Sequence, residues 1–166
     1  MLWLILIIAT VFLDQITKWL AVIFLRGADT VPVIKDVIHL TYLENTGAAF
    51  GILKDHRWVF LVLTTVTIIG LSVYLFKFAE NNKILKTSVS FIIGGGIGNM
   101  IDRLVSGYVV DFIDFRLINF AIFNIADSFV CIGAALMVLY LFSSSDKSKE
   151  KKNETVGKGA EGKSEE

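Results

Sequence analysis

Four stretches of this chain are apolar and long enough to cross a lipid bilayer, roughly 2–25, 58–78, 84–104 and 123–142. That limits the fold more than any other feature. Spanning takes about 20 predominantly apolar residues in a helix, because the bilayer interior offers backbone amides no water. The second stretch, WVFLVLTTVTIIGLSVYLFKF, is nearly free of charge, and the third is the weakest, being polar at both ends. No basic residue precedes Lys18, and no small-residue cleavage site follows the first apolar run. The first stretch therefore reads as a retained anchor rather than a signal peptide.

The expected fold class is an all-α integral membrane protein, with four transmembrane helices and a small extracytoplasmic β-element. The β-element is expected in TVPVIKDVIHLTYLENTGAAFGIL (30–53), whose β-branched residues partly alternate, with Pro32 at an edge or turn. One catalytic unit over 1–142 and a polar, disordered cytoplasmic tail over 143–166 complete the expected organisation. Orientation follows the basic residues near the span ends. Lys77, Lys83 and Lys86 share one side with Lys147, Lys149, Lys151 and Lys152. Arg26, Lys35, Lys54, Arg57, Arg103 and Arg116 are spread over two longer loops on the other side. This modest bias puts both termini inside, and loops 26–57 and 105–122 outside.

The formal net charge is zero, so no field points to nucleic acid. His39 and His56 lie far apart without cysteine neighbours, so there is no zinc pattern. Cys131, in an apolar run, is expected to be a buried, inert thiol.

Ionisable residues inside a span are functional candidates, because each is costly unless paired. Asp14 and Lys18 in DQITK are four apart on one helix face. They suit a structural ion pair or a face lining a polar cavity, and Lys18 could snorkel outward past Asp14. In ENTGAAFG (44–51), Asn45 and Thr46 offer hydrogen bonds, while Gly47 leaves room for another backbone. The segment is either an ordinary turn or a surface that approaches a substrate main chain. GGGIGNMIDRL (94–104) has small residues that let helices pack closely, followed by Asn99 and Asp102 on one face. Arg103 points elsewhere, so Asp102 and Arg103 read as two separate contacts. FNIADSF (123–129) opens the fourth span with Asn124 as N-cap and Asp127 at N3, as in a capping box. Asp127 either only satisfies free amides or is held rigidly there for chemistry.

GYVVDFIDF (107–115) sets Asp111 and Asp114 among apolar neighbours. Its β-branched residues favour an extended chain, in which residues three apart face opposite ways. The two are then no dyad, and Asp111 needs another partner. Asp127 lies on the same side of the membrane. Two carboxylates in one poorly solvated site share a proton, the acid–base division that aspartic proteases use. Asp114 is expected to be a solvated loop residue.

The five motifs, in this order over residues 10–142, resemble those of the bacterial lipoprotein signal peptidases (signal peptidase II). The resemblance implies an intramembrane aspartic endopeptidase of the bacterial cell membrane. It would cut a diacylglyceryl-modified prolipoprotein before its lipidated cysteine, near the outer face. The resemblance matches the catalytic aspartates to Asp111 and Asp127. It matches the family's other polar motif residues to Asp14, Lys18, Asn45, Gly47, Gly95, Asn99, Asp102, Arg103 and Asn124, expected to shape the cavity, hold the substrate backbone or orient the dyad. Membrane lipid is the other expected partner, and no metal or organic cofactor is implied. From the residues alone, a proton-coupled transporter using Asp14, Lys18 and Asp102 is a rival, although four spans without an internal repeat make alternating access hard to build. A scaffold for membrane partners is a third reading.

Overall fold

The computed structural model describes residues 1–28, 30–47, 56–78 and 82–161, with side chains as far as Ser143. Residues 48–51 of ENTGAAFG lie outside the described residues. Among the described residues are four α-helices, α1 (Leu2–Leu25), α2 (Arg57–Val73), α3 (Lys83–Val105) and α4 (Ile125–Glu161), and three strands. A π-helical turn, Tyr74–Phe78, extends α2. Four helical segments are long and apolar enough to cross a membrane: Leu2–Leu25, Arg57–Lys77, Lys83–Val105 and Ile125–Ser143.

The backbone of α4 runs as helix to Glu161. The only proline in the chain is Pro32, so none interrupts the helix once the span has nucleated it.

Helix α1 buries a single stripe of Ile7, Thr10, Asp14, Lys18, Ala21 and Leu25, spaced three or four apart. Most of its other large apolar side chains, such as Phe12 and Phe24, are exposed. That division suits a helix with lipid on one side and protein on the other. Helix α3 is the central element and contacts α1, α2 and α4. Lipid tails are as apolar as leucine, so burial of apolar surface does little to draw such helices together. Close packing and polar contacts must do it. The α3 glycines supply the closeness: a Cβ at Gly94 would lie 2.7 Å from Thr10 Cβ, and one at Gly98 would strike the Asp14 carboxylate. Ser88 Oγ adds a hydrogen bond across to the Gly133 carbonyl, 2.8 Å.

Asn82 starts α3 by accepting the amides of Ile84 and Leu85 on its Oδ1. Gly107, at φ +85°, turns the chain out of the helix. The sheet has strand order β1-β2-β3, antiparallel throughout, with β1 Val31–Ile34, β2 Ile38–Asn45 and β3 Val109–Phe115. Pro32 sits in the edge strand, where a missing N–H costs least. The sheet stitches the first loop to the second, with Leu43 opposite Asp111 and Asn45 opposite Val109. Val110 and Phe112 pack with Ala21 and Leu25 of α1. The sheet thus rests on the end of the bundle where α1 and α3 finish and α4 begins.

Candidate active site

The site is built where β3, the end of α3 and the start of α4 converge. Just before α4 the Phe123 backbone bridges to Ile113: the Phe112 and Ile113 amides donate to the Phe123 carbonyl, and the Phe123 amide donates back to Ile113. That bridge sets Asn124 beside Asp111. Asn124 Nδ2 donates to Asp111 Oδ1 at 2.6 Å, and Asn45 Nδ2, from the end of β2, donates to Oδ2 at 2.8 Å. Asp111 is 2% exposed. Burial pushes its carboxyl up to about 6, with a smaller upward push from Asp127; the amides of Asn45 and Asn124 and the charge of Lys18 pull the other way.

The start of α4 is a reciprocal capping box. The Asp127 amide donates to Asn124 Oδ1 at 2.9 Å, and the Asn124 amide donates to Asp127 Oδ2 at 3.2 Å. The second Asp127 oxygen, Oδ1, accepts Asn99 Nδ2 at 2.8 Å. Asn124 thus touches both carboxylates, one through its side chain and one through its backbone. Asp111 and Asp127 open on one cavity of 490 Å³, together with Asn45, Gly47, Asn99 and Arg103. Val109 and the run Phe120–Phe123 give that cavity an apolar wall. Two carboxylates at one cavity, with amide donors on every oxygen and an apolar wall, have the makings of a site that activates a water and polarises a carbonyl.

The sequence pattern of the family described as signal peptidase (SPase) II matches residues 6–143. The chain belongs to the signal peptidase II family. A lipoprotein signal peptidase of Halothermothrix orenii is 46% identical over 83% of this chain and 93% of its own length. That of Brevibacillus brevis is 43% identical over 89% of this chain and 99% of its own. A bacterial membrane enzyme solved by the in meso method at 2.3 Å resolution superposes with a TM-score of 0.83 at 33% identity, covering 87% of this chain and 90% of that one. The protein is accordingly a multi-pass membrane aspartic peptidase.

Behind Asp111 and Asp127 lies a buried polar cluster. Lys18 Nζ contacts Asp14 Oδ2 at 2.8 Å, Asp102 Oδ2 at 3.0 Å and Asn99 Oδ1 at 2.7 Å. Snorkelling does not occur: Lys18 is 3% exposed, because α3 brings two acceptors to it. Asp14 Oδ1 accepts the Ala126 amide at 2.8 Å, which ties α1 to the first turn of α4. Asp102 Oδ2 also accepts the Val110 amide at 3.2 Å, fixing β3 one residue before Asp111. Arg103 points the other way, donating to the carbonyls of Gly47 and Asn99 and lying over the Phe60 ring at 4.7 Å. The separate contacts expected of Asp102 and Arg103 are what the structure has. Gly95 is not among the residues lining the cavity; a Cβ there would meet the Ala126 carbonyl, so it sets the α3–α4 approach.

Two expectations are corrected. Asp114 does point away from Asp111, but it is a strand residue and not a solvated one. Its Oδ2 accepts from Thr41 at 3.0 Å and pairs with Arg116 at 2.8 Å, with 13% of the side chain exposed. Cys131 is an exposed free thiol lining the cavity, because it lies one helical turn after Asp127 on the same face of α4. Sequence reasoning missed Gln15, whose Nε2 donates to Asp102 Oδ1 at 2.9 Å and to the Gly98 carbonyl at 3.2 Å. The signal was available: a second polar residue beside Asp14 in mid-span.

Proposed function

We propose that this protein removes the signal peptide from diacylglyceryl-modified prolipoproteins, cutting before the lipidated cysteine, with Asp111 and Asp127 as its catalytic residues. The observation that carries this reading is the pairing of the two carboxylates through Asn124 at a cavity with an apolar wall. A lipid-anchored peptide reaches such a site sideways, from the membrane, with its acyl chains still in an apolar medium.

In this mechanism Asp127 is the base and Asp111 holds the shared proton. Asp111 is the more suitable acid because burial raises its carboxyl to about 6. Asp127 takes a proton from a water whose oxygen attacks the scissile carbonyl carbon, while Asp111 protonates the carbonyl oxygen. The resulting gem-diol collapses as Asp127 passes its proton to the departing amine. The C–N bond breaks, and one gem-diol hydroxyl returns its proton to Asp111. Products are a new carboxyl on the signal peptide and a free amine on the lipidated cysteine, and both aspartates regain their starting protonation.

The lysine bias at the span ends supports cytoplasmic termini and a site at the outer face of the cell membrane. Residues 1–142 form the catalytic unit, and the partners are lipidated precursors and membrane lipid. No specific observation favours the transporter. The test is cleavage of a diacylglyceryl-modified precursor peptide by purified protein in detergent, with no ion gradient. Wild type cleaves before the modified cysteine and Asp111→Asn does not. An uncleaved precursor with folded wild type refutes the substrate assignment, and an active Asp111→Asn refutes the dyad.

A further inference from the structure

Lysine has three N–H donors and no acceptor, and all three donors of Lys18 have partners in the structure: Asp14, Asp102 and Asn99. The third contact decides which way the Asn99 amide points. An ammonium can meet only the oxygen of that amide, so Oδ1 is held at Lys18. Asn124 Nδ2 donates to the same oxygen at 3.1 Å. Asn99 Nδ2 is left with one direction, toward Asp127 Oδ1. If the amide turned over, its oxygen would face a carboxylate oxygen, and its NH2 would face both the ammonium and the Asn124 amide. Three contacts would become repulsive at once.

We propose that Lys18 is a positioning residue for the cleavage reaction: clamped by Asp14 and Asp102, it locks the Asn99 amide so that Nδ2 donates to Asp127 and holds that carboxylate as the base. The inference rests on the reading of Asp111 and Asp127 as the dyad. It gives the buried charges of α1 a chemical task in addition to helix packing. Lys18 touches neither carboxylate of the dyad and acts only through Asn99. The charged and titratable groups around Asp127 are Lys18 and Asp14 from α1, Asp102 and Arg103 from α3, Asp111 from β3, and the Cys131 thiol from α4.

Replacing Lys18 alone removes a positive charge and strands two buried carboxylates, so the informative variant is charge-balanced: Lys18→Met with Asp102→Asn. Asn99→Leu removes the amide while keeping the ion pairs of Lys18 to Asp14 and Asp102, and it decides the matter if the double variant does not fold. Cleavage of the lipidated peptide is followed as a function of substrate concentration. The expected result for both variants is a fall in kcat of about 100-fold with KM within about threefold, the size of a general-base contribution. Adding Asn99→Leu to the double variant lowers kcat no further. A wild-type kcat in the folded variants overturns the proposal, even if stability falls, since a packing role lowers melting temperature without slowing the chemical step. Failure of the dyad itself is a different result, namely wild-type turnover by Asp127→Asn.

Discussion

Replacing Asp127 by asparagine separates its role as helix cap from the role of base proposed for it. Both Asp127 oxygens accept an N–H, Oδ1 from Asn99 and Oδ2 from the Asn124 backbone. Asparagine keeps the volume but has a single oxygen. The Asn99 amide is fixed by Lys18 and by Asn124, so the new oxygen turns to Asn99 Nδ2. The new NH2 then faces the Asn124 amide, and one arm of the capping box is lost. The other arm, from the residue 127 amide to Asn124 Oδ1, survives. One lost cap bond costs about 1 kcal/mol, which lowers the melting temperature by only a few degrees. The catalytic loss is far larger. Without a carboxylate no group at that position takes the proton from water, and general-base contributions are about 10²–10⁴ in rate, or about 3–5 kcal/mol. The assay pairs turnover of a diacylglyceryl-modified precursor in detergent with thermal unfolding of the same sample. Turnover within tenfold of wild type refutes the assignment of Asp127 as base. Lost turnover with a melting temperature more than ~10 °C lower refutes the claim that the cap survives.

Four further outcomes follow from the geometry. Asp111→Asn removes a carboxyl that the fold holds at about 6 against an ordinary 3.8. A raised carboxyl stabilises the fold fully below the ordinary value and loses that contribution as pH rises through the raised one. The stability of Asp111→Asn relative to wild type therefore climbs by up to about 3 kcal/mol between about pH 4 and pH 8, read by thermal unfolding; a flat difference refutes it. For the same reason, wild-type kcat/KM declines above about pH 6 as Asp111 loses the proton it must donate; a constant kcat/KM from pH 6 to 8 would contradict this. Asp114→Asn keeps most of its activity and loses at most about 1 kcal/mol, since it breaks only the contacts to Thr41 and Arg116 beyond the cavity. Gly95→Ala drives a Cβ to 2.5 Å from the Ala126 carbonyl, whereas at Gly96 the nearest atom is 3.5 Å away. The first costs about 1–3 kcal/mol and displaces the turn that carries Asp127, and the second is tolerated, as melting and turnover of the two variants will show.

Much of this site was legible because its parts are local. The Asp14–Lys18 pair follows from helical spacing, the Asn124–Asp127 box from capping chemistry, and the divergence of Asp111 from Asp114 from strand alternation. Each rule acts within four residues. The contacts that turn these parts into a site join segments distant in the chain: Asn45 to Asp111, Asn99 to Asp127, Lys18 to Asp102. No periodicity encodes them. The corrections have the same origin. Lys18 was free to snorkel only while α3 was ignored, and Cys131 read as buried because an apolar run does not say which face meets a cavity.

The two carboxylates come from different kinds of backbone, and that difference supports the division of labour proposed for them. Asp111 sits on a strand buried under α1, α4 and the sheet, where its stabilisation comes from side-chain amides and its carboxyl is pushed up. Asp127 sits in the first turn of a helix, where the backbone itself donates to it and the helix end carries partial positive charge. Were both on helix starts, or both on strands, the pair would be nearly symmetric and the proton would have no preferred home. A strand laid against a helix N-terminus, with Asn124 shared between them, breaks that symmetry before any substrate arrives. This is why a three-stranded sheet is attached to an otherwise helical membrane protein: it delivers one aspartate from an element that a bundle of spans does not contain.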